Sequence, residues 1–69
     1  MLTDRTIDVS IIIVSTNECE EVRCCLTSIA RSQTRYAIET IVVDNACTDG
    51  TNAMARREFP QTLVVRNDR

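Results

Sequence analysis

Three short runs of aliphatic and mostly β-branched residues constrain this chain more than anything else in it. They are Ile11-Ile12-Ile13-Val14, Ile41-Val42-Val43 and Leu63-Val64-Val65. Each is nearly continuous in apolar character rather than alternating, which marks a strand with side chains to bury on both faces. Strands are accordingly read over 9–15, 38–43 and 62–66. Too much chain separates them for hairpin turns, so what lies between decides the fold class.

Between the first two runs, apolar residues recur at Val22, Cys25, Leu26, Ile29 and Ala30, the spacing of one buried helical face. This pattern predicts a helix over 18–32, capped by Asn17, with Glu20 three residues on as in a capping box. Glu18, Glu20 and Glu21 put negative charge at the positive end of its dipole, and Arg31 a cation at the other. A shorter, weaker helix is predicted over 50–58, capped by Thr48 or Asp49, with Met54 and Ala55 facing inward. Pro60 ends it by forcing Phe59 out of helical geometry. Residues 1–8 are polar and irregular and read as a flexible lead-in.

The order β-α-β-α-β with short loops implies parallel strands joined by right-handed crossovers. The expected fold class is α/β, one half of a Rossmann-like doubly wound sheet with three strands and two helices. Stepwise winding in one direction leaves both helices on one face. The other face would then hold about four to six large aliphatic side chains in water, each forgoing ~1.5–3 kcal/mol of burial. For a 69-residue chain that loss rivals the whole stability of a small domain. The unit is therefore expected to be the front of a larger domain, or to self-associate through its bare face or its first-strand edge.

Composition removes several function classes. Eight Arg, no Lys and ten acids give a net charge of −2, with no basic stripe, and the only aromatic residues are Tyr36 and Phe59. A nucleic-acid partner is not expected. No run approaches the ~20 apolar residues of a membrane span, and residues 1–5 lack the basic-then-apolar layout of a secretion signal. A cytoplasmic location is expected. The chain has no His, which excludes a Ser-His-Asp triad. Cys19, Cys24, Cys25 and Cys47 fit no common zinc spacing and read as reduced thiols. No glycine-rich phosphate loop follows the first run.

In open α/β sheets ligands bind at the carboxyl ends of the strands. Here those ends are Ser15-Thr16-Asn17-Glu18, Asp44-Asn45 and Arg66-Asn67-Asp68. Cap and turn chemistry accounts for Asn17, Asn45, Thr48 and Asp49 without any ligand. Asp44 is different: three β-branched residues precede it, so a rigid element carries its carboxylate to the rim. A carboxylate there can accept from an imide N–H or from sugar hydroxyls.

The segments Val9-Ser-Ile-Ile-Ile-Val-Ser-Thr-Asn-Glu18, Cys25-Leu-Thr-Ser-Ile-Ala30 and Glu39-Thr-Ile-Val-Val-Asp-Asn-Ala-Cys-Thr-Asp-Gly-Thr51 together resemble the start of family 2 glycosyltransferases. Arg56-Arg-Glu-Phe-Pro60 and Val65-Arg-Asn67 continue the likeness in register, so it covers about 9–69. The resemblance implies a GT-A fold and transfer of a sugar from a nucleotide-diphosphate donor, with UDP or dTDP the expected carrier, to an acceptor hydroxyl. It implies nucleotide binding by Val14, Ser15, Thr16, Asn17 and Glu18 at the first strand end, and by Asp44 and Asn45 at the second. Asp44 would meet the base; Asn45 stands where many members carry a second Asp.

The chain also departs from the family pattern. Thr16 replaces an aromatic residue that stacks near the base, and Cys47 replaces a common Ser. The resemblance further implies a Mn²⁺ or Mg²⁺ cofactor held by an Asp-any-Asp motif, which is not found in these 69 residues. No catalytic residue and no metal ligand is assigned within the chain. It reads as a partial domain that binds nucleotide weakly without turnover. The competing expectation is a non-enzymatic α/β interaction module that self-associates through its uncovered sheet face.

Overall fold

The computed structural model describes residues 6–68; the Met1–Arg5 part of the expected lead-in lies outside them. Strand β1 spans Val9–Ser15, helix α1 Cys19–Arg31, β2 Ile38–Asn45, α2 Thr51–Glu58 and β3 Leu63–Asn67. All three strands are parallel, in the order β1-β2-β3. This is the α/β arrangement of half a Rossmann-like sheet, as the strand runs and the helical spacing require. β2 continues two residues beyond the predicted 38–43, carrying Asp44 and Asn45 within the ladder rather than after it.

Register decides which side chains share a face. Ile13 pairs with Val42 and Val42 with Val64, while Ser15 pairs with Asp44 and Asp44 with Arg66. Successive strand residues alternate between faces, so these rows point to one side. There Val42 and Val64 join Val22 and Leu26 of α1 and Met54 and Ala55 of α2 in the buried core, with Ile13, Cys19 and Phe59 packed around it. Both helices therefore cover the same face.

The opposite face has no cover among the described residues. Ile12 and Val14 are each 62% exposed, Leu63 53% and Val65 45%, while Ile41 and Val43 between them are half-buried. The bare face expected from stepwise winding is present, with six aliphatic side chains on it.

Two sequence expectations for α1 need correction. Asn17 does not cap the helix: Glu18 holds the cap position, and no side chain of its own caps the first turn. Asn17 instead adopts a left-handed backbone (φ 59°), a conformation Asn tolerates better than most residues. Its side chain leaves the helix for the neighbouring loop. Glu20 likewise turns outward and pairs with Arg23 rather than closing a capping box. The buried stripe is also narrower than the periodicity suggests. Val22 and Leu26 are buried, but Cys25 and Ala30 are exposed. Cys25 lies on the flank of α1 toward β1, an edge strand with no element beyond it, among the described residues, to close over that flank.

Candidate functional site

The carboxyl ends of the three strands meet in one polar cluster. At its centre Asp44 is completely buried. Its Oδ1 accepts the Cys47 N–H at 2.8 Å, and its Oδ2 accepts from Asn52 Nδ2 at 2.9 Å and from Arg66 Nη1 at 2.8 Å. Burial alone would raise its pKa. Hydrogen bonds from Cys47, Asn52 and Arg66 outweigh that penalty and hold it down at about 2.

The local chain geometry explains why Cys47 can donate to Asp44. Ala46 takes a left-handed backbone (φ 55°) directly after β2. The chain reverses there, and the next N–H points back at the carboxylate two residues before Ala46. The Ala46 N–H itself donates to the Asn67 carbonyl at the end of β3. A non-glycine residue in this region stores roughly 1–2 kcal/mol of strain.

Arg66 ties β3 into the same cluster. Besides Asp44 it reaches the Cys47 carbonyl at 3.3 Å, while its Nε donates to Asp68 Oδ1 at 2.7 Å. Asp68 and Asp44 together keep the guanidinium firmly protonated.

The loops after β1 and β2 are laced together from the other side. The Cys47 thiol is buried and donates to the Ser15 carbonyl at 3.2 Å, and its sulfur accepts the Asn17 N–H at 3.2 Å. Asn17 Oδ1 accepts the Thr48 N–H at 2.7 Å. Asp49 Oδ2 accepts the Cys19 N–H at 3.0 Å, so the first turn of α1 is capped by a residue of the β2–α2 loop. Its other oxygen accepts from the backbone and hydroxyl of Thr51, the start of α2. Asp49 thus ties the starts of both helices together, and the Thr51 bond leads in depressing its pKa. Neither Thr48 nor Asp49 holds the α2 cap position expected of them: Gly50 does, in a left-handed backbone (φ 87°), and Asp49 supports the first turn from one residue further out.

The seven residues singled out in the sequence fall into three places. Ser15 and Asp44 face the helix layer and are fully buried. Val14 faces the open side of the sheet. Thr16, Asn17, Glu18 and Asn45 form the accessible rim, where Asn45 Nδ2 lies 3.4 Å from Thr16 Oγ1 and bridges the ends of β1 and β2. The Glu18 carboxylate is exposed and has no hydrogen-bond partner among the described residues.

Cys47, Asp49, Asn52 and Arg66 carry the cluster as much as the residues the sequence points to. Arg66 has a signal: it closes a strand run, as Asp44 does, but only the strand order places the two in register. Asn52 and Asp49 have none, because a helix cap and a polar helical residue look alike whether or not they reach another segment.

A separate depression lies elsewhere. A groove of about 890 Å³ sits at the amino ends of the strands, lined by Leu26, Tyr36, Ile38, Phe59 and Pro60 among others. Glu39 is the one charged residue in its lining, whereas the polar cluster joins all three strand ends, the place where open α/β sheets take their ligands.

A family model for glycosyl transferase family 2 matches residues 10–69. The chain belongs to glycosyl transferase family 2. The match spans every element from β1 to β3, so the family pattern and the cluster at the strand ends coincide along the chain. Comparisons with curated proteins and with solved structures found no match.

The family likeness implies a divalent metal, and the acids among the described residues offer it no site. No group of three or more Cys, Asp or Glu among the described residues is placed to hold one. Asp44 and Asp49 already spend their oxygens on protein donors. No step is therefore assigned to a metal here. No helix among the described residues is long and apolar enough to cross a membrane.

Proposed function

We propose that the rim formed by Thr16, Asn17 and Asn45 receives the nucleoside of a sugar nucleotide, UDP- or dTDP-linked, whose sugar the family transfers to an acceptor hydroxyl. The observation that carries this reading is the bridge between Asn45 and Thr16. It joins two strand ends on the open side, directly beyond Val14, in a chain of family 2.

Each group has a role fitted to its chemistry. The apolar Val14 surface suits the face of a base. The Asn45 amide both donates and accepts, which matches the neighbouring carbonyl and imide N–H of uracil or thymine. Glu18, exposed and without a partner among the described residues, can accept from ribose hydroxyls. Ser15 and Asp44 act from behind the sheet: they fix the loops that carry Thr16, Asn17 and Asn45, and Asp44 itself keeps no donor-free oxygen facing the rim. Binding is weak, since Thr16 offers no ring and base–aromatic stacking is worth roughly 1–3 kcal/mol.

Titration calorimetry with UDP tests the reading. Thr16→Ala and Asn45→Ala should each weaken binding about 5-fold, the value of one neutral hydrogen bond. Absence of binding by the unmodified chain, or undiminished binding by both variants, contradicts it. The chain alone should release no UDP from a UDP-sugar in the presence of acceptors; sustained release would refute the absence of turnover.

A further inference from the structure

The side-chain amides around the strand ends are not all held in the same way. Asn17 Oδ1 accepts the Thr48 N–H at 2.7 Å, and a backbone N–H can only donate. Asn52 Nδ2 donates to the Asp44 carboxylate at 2.9 Å, while its Oδ1 accepts from Arg56 Nε at 2.7 Å. Turning either amide over would set donor against donor or acceptor against acceptor, so both are fixed. Asn45 differs. Its Nδ2 lies 3.4 Å from Thr16 Oγ1, at the long end for such a bond, and neither side chain has another partner among the described residues.

A hydroxyl both donates and accepts. The bridge between Asn45 and Thr16 therefore survives reversal of the amide. In one setting Asn45 Nδ2 donates to Thr16 Oγ1; in the other Thr16 Oγ1 donates to Asn45 Oδ1. The first setting leaves Asn45 Oδ1 to accept from a ligand and the Thr16 hydroxyl proton to donate to it. The second leaves Asn45 Nδ2 to donate and the Thr16 oxygen to accept. Donor and acceptor exchange at both groups together.

Uracil and cytosine differ by the same exchange. They share a ring outline, but uracil sets an N–H donor beside a carbonyl acceptor where cytosine sets a ring-nitrogen acceptor beside an amino donor. The geometry points to a base site that takes uracil and cytosine alike, so that this rim accepts CDP-linked as well as UDP-linked sugars. This rests on the nucleoside rim proposed above and widens the class of nucleotide it takes. Uracil meets the first setting and cytosine the second, each with both hydrogen bonds made.

The surroundings add little that could tell the two bases apart. Val14, 62% exposed, offers an apolar surface to the ring, and every base has such a face. Strong rejection of a base with the same outline needs a buried polar group that the wrong base leaves unpaired. Thr16 is exposed and Asn45 half-buried, and their bridge re-forms in either setting.

Calorimetric titration of the chain with UDP and with CDP tests this. The two dissociation constants should agree within about 5-fold, less than one neutral hydrogen bond of discrimination. Asn45→Asp substitutes a group that can only accept. Thr16 can still donate to it and uracil can still meet its free oxygen, but the ring nitrogen of cytosine then faces a carboxylate. CDP should weaken relative to UDP by at least about 5-fold in this variant, and the ratio cancels any effect of the new charge on the shared diphosphate. The unmodified chain decides the first point whether or not the variant folds. A larger difference between the two nucleotides in the unmodified chain, or a ratio that Asn45→Asp leaves unchanged, overturns the inference and leaves the nucleoside rim standing. Binding of neither nucleotide overturns the rim and the inference with it.

Discussion

Asp44 gives up its hydration on folding and gains three protein donors in return, one from each of the loop, α2 and β3. The balance favours the charged form, so its pKa falls from an ordinary 3.8 to about 2. A folded pKa below the unfolded one means the unfolded chain binds the proton more readily. The stabilisation is therefore fully present above about pH 4 and is lost as pH falls through about 2. Urea unfolding at a series of pH values should show stability dropping by roughly 2 kcal/mol across that window. Asp44→Asn should be less stable by about 1–3 kcal/mol at pH 7 and should lose most of that slope. Ala46 makes the opposite prediction. Its left-handed backbone suits glycine, so Ala46→Gly should be neutral or stabilising by up to ~1 kcal/mol, read from the same urea midpoints. A clear loss would mean that the alanine methyl makes a contact worth more than the strain it imposes.

At the level of elements, the two helices lean on one another as well as on the sheet. Arg23 of α1 donates to both Glu58 oxygens of α2, at 2.9 Å each, and also pairs with Glu20. All three groups are at least partly solvent-exposed, so Arg23→Ala should cost no more than about 1 kcal/mol. Leu26, almost fully buried between the helices and the sheet, is another matter. Leu26→Ala should cost about 2–5 kcal/mol, enough to unfold much of a unit this small. Circular dichroism melts distinguish the two cases directly. The elements themselves are legible in the sequence because hydrophobic period and strand composition are local properties. The strand runs and the helical spacing of Val22 and Leu26 need no partner to be recognised. Asn17 looks like a cap in the sequence because a polar residue before a helix has two outlets. Only the neighbouring loop, about thirty residues further along the chain, determines that its oxygen goes to Thr48 and that Asp49 caps α1 instead.

For the whole molecule, parallel order and a shared helical face produce two distinct surfaces from one sheet. The covered side supports the rim from behind through Asp44, Arg66 and Cys47. The open side offers Val14, Thr16 and Asn45 and a band of aliphatic side chains. The sequence can place Asp44 and Asn45 at a strand end, but not decide which of them is buried, because that depends on register with β1 and β3. They are neighbours in the chain and lie on opposite sides of the sheet. One carboxylate is a fastening, and one amide is accessible.

The central claim is that the nucleoside sits on this rim. Chemical-shift mapping of ¹⁵N-labelled chain during UDP titration tests it most directly. The amides of residues 14–18 and 44–48 should move together and saturably, and Asn45→Ala should diminish their response. Shifts confined to the groove around Tyr36, Ile38 and Phe59 at the far end of the strands, or no shifts at all, would contradict the account.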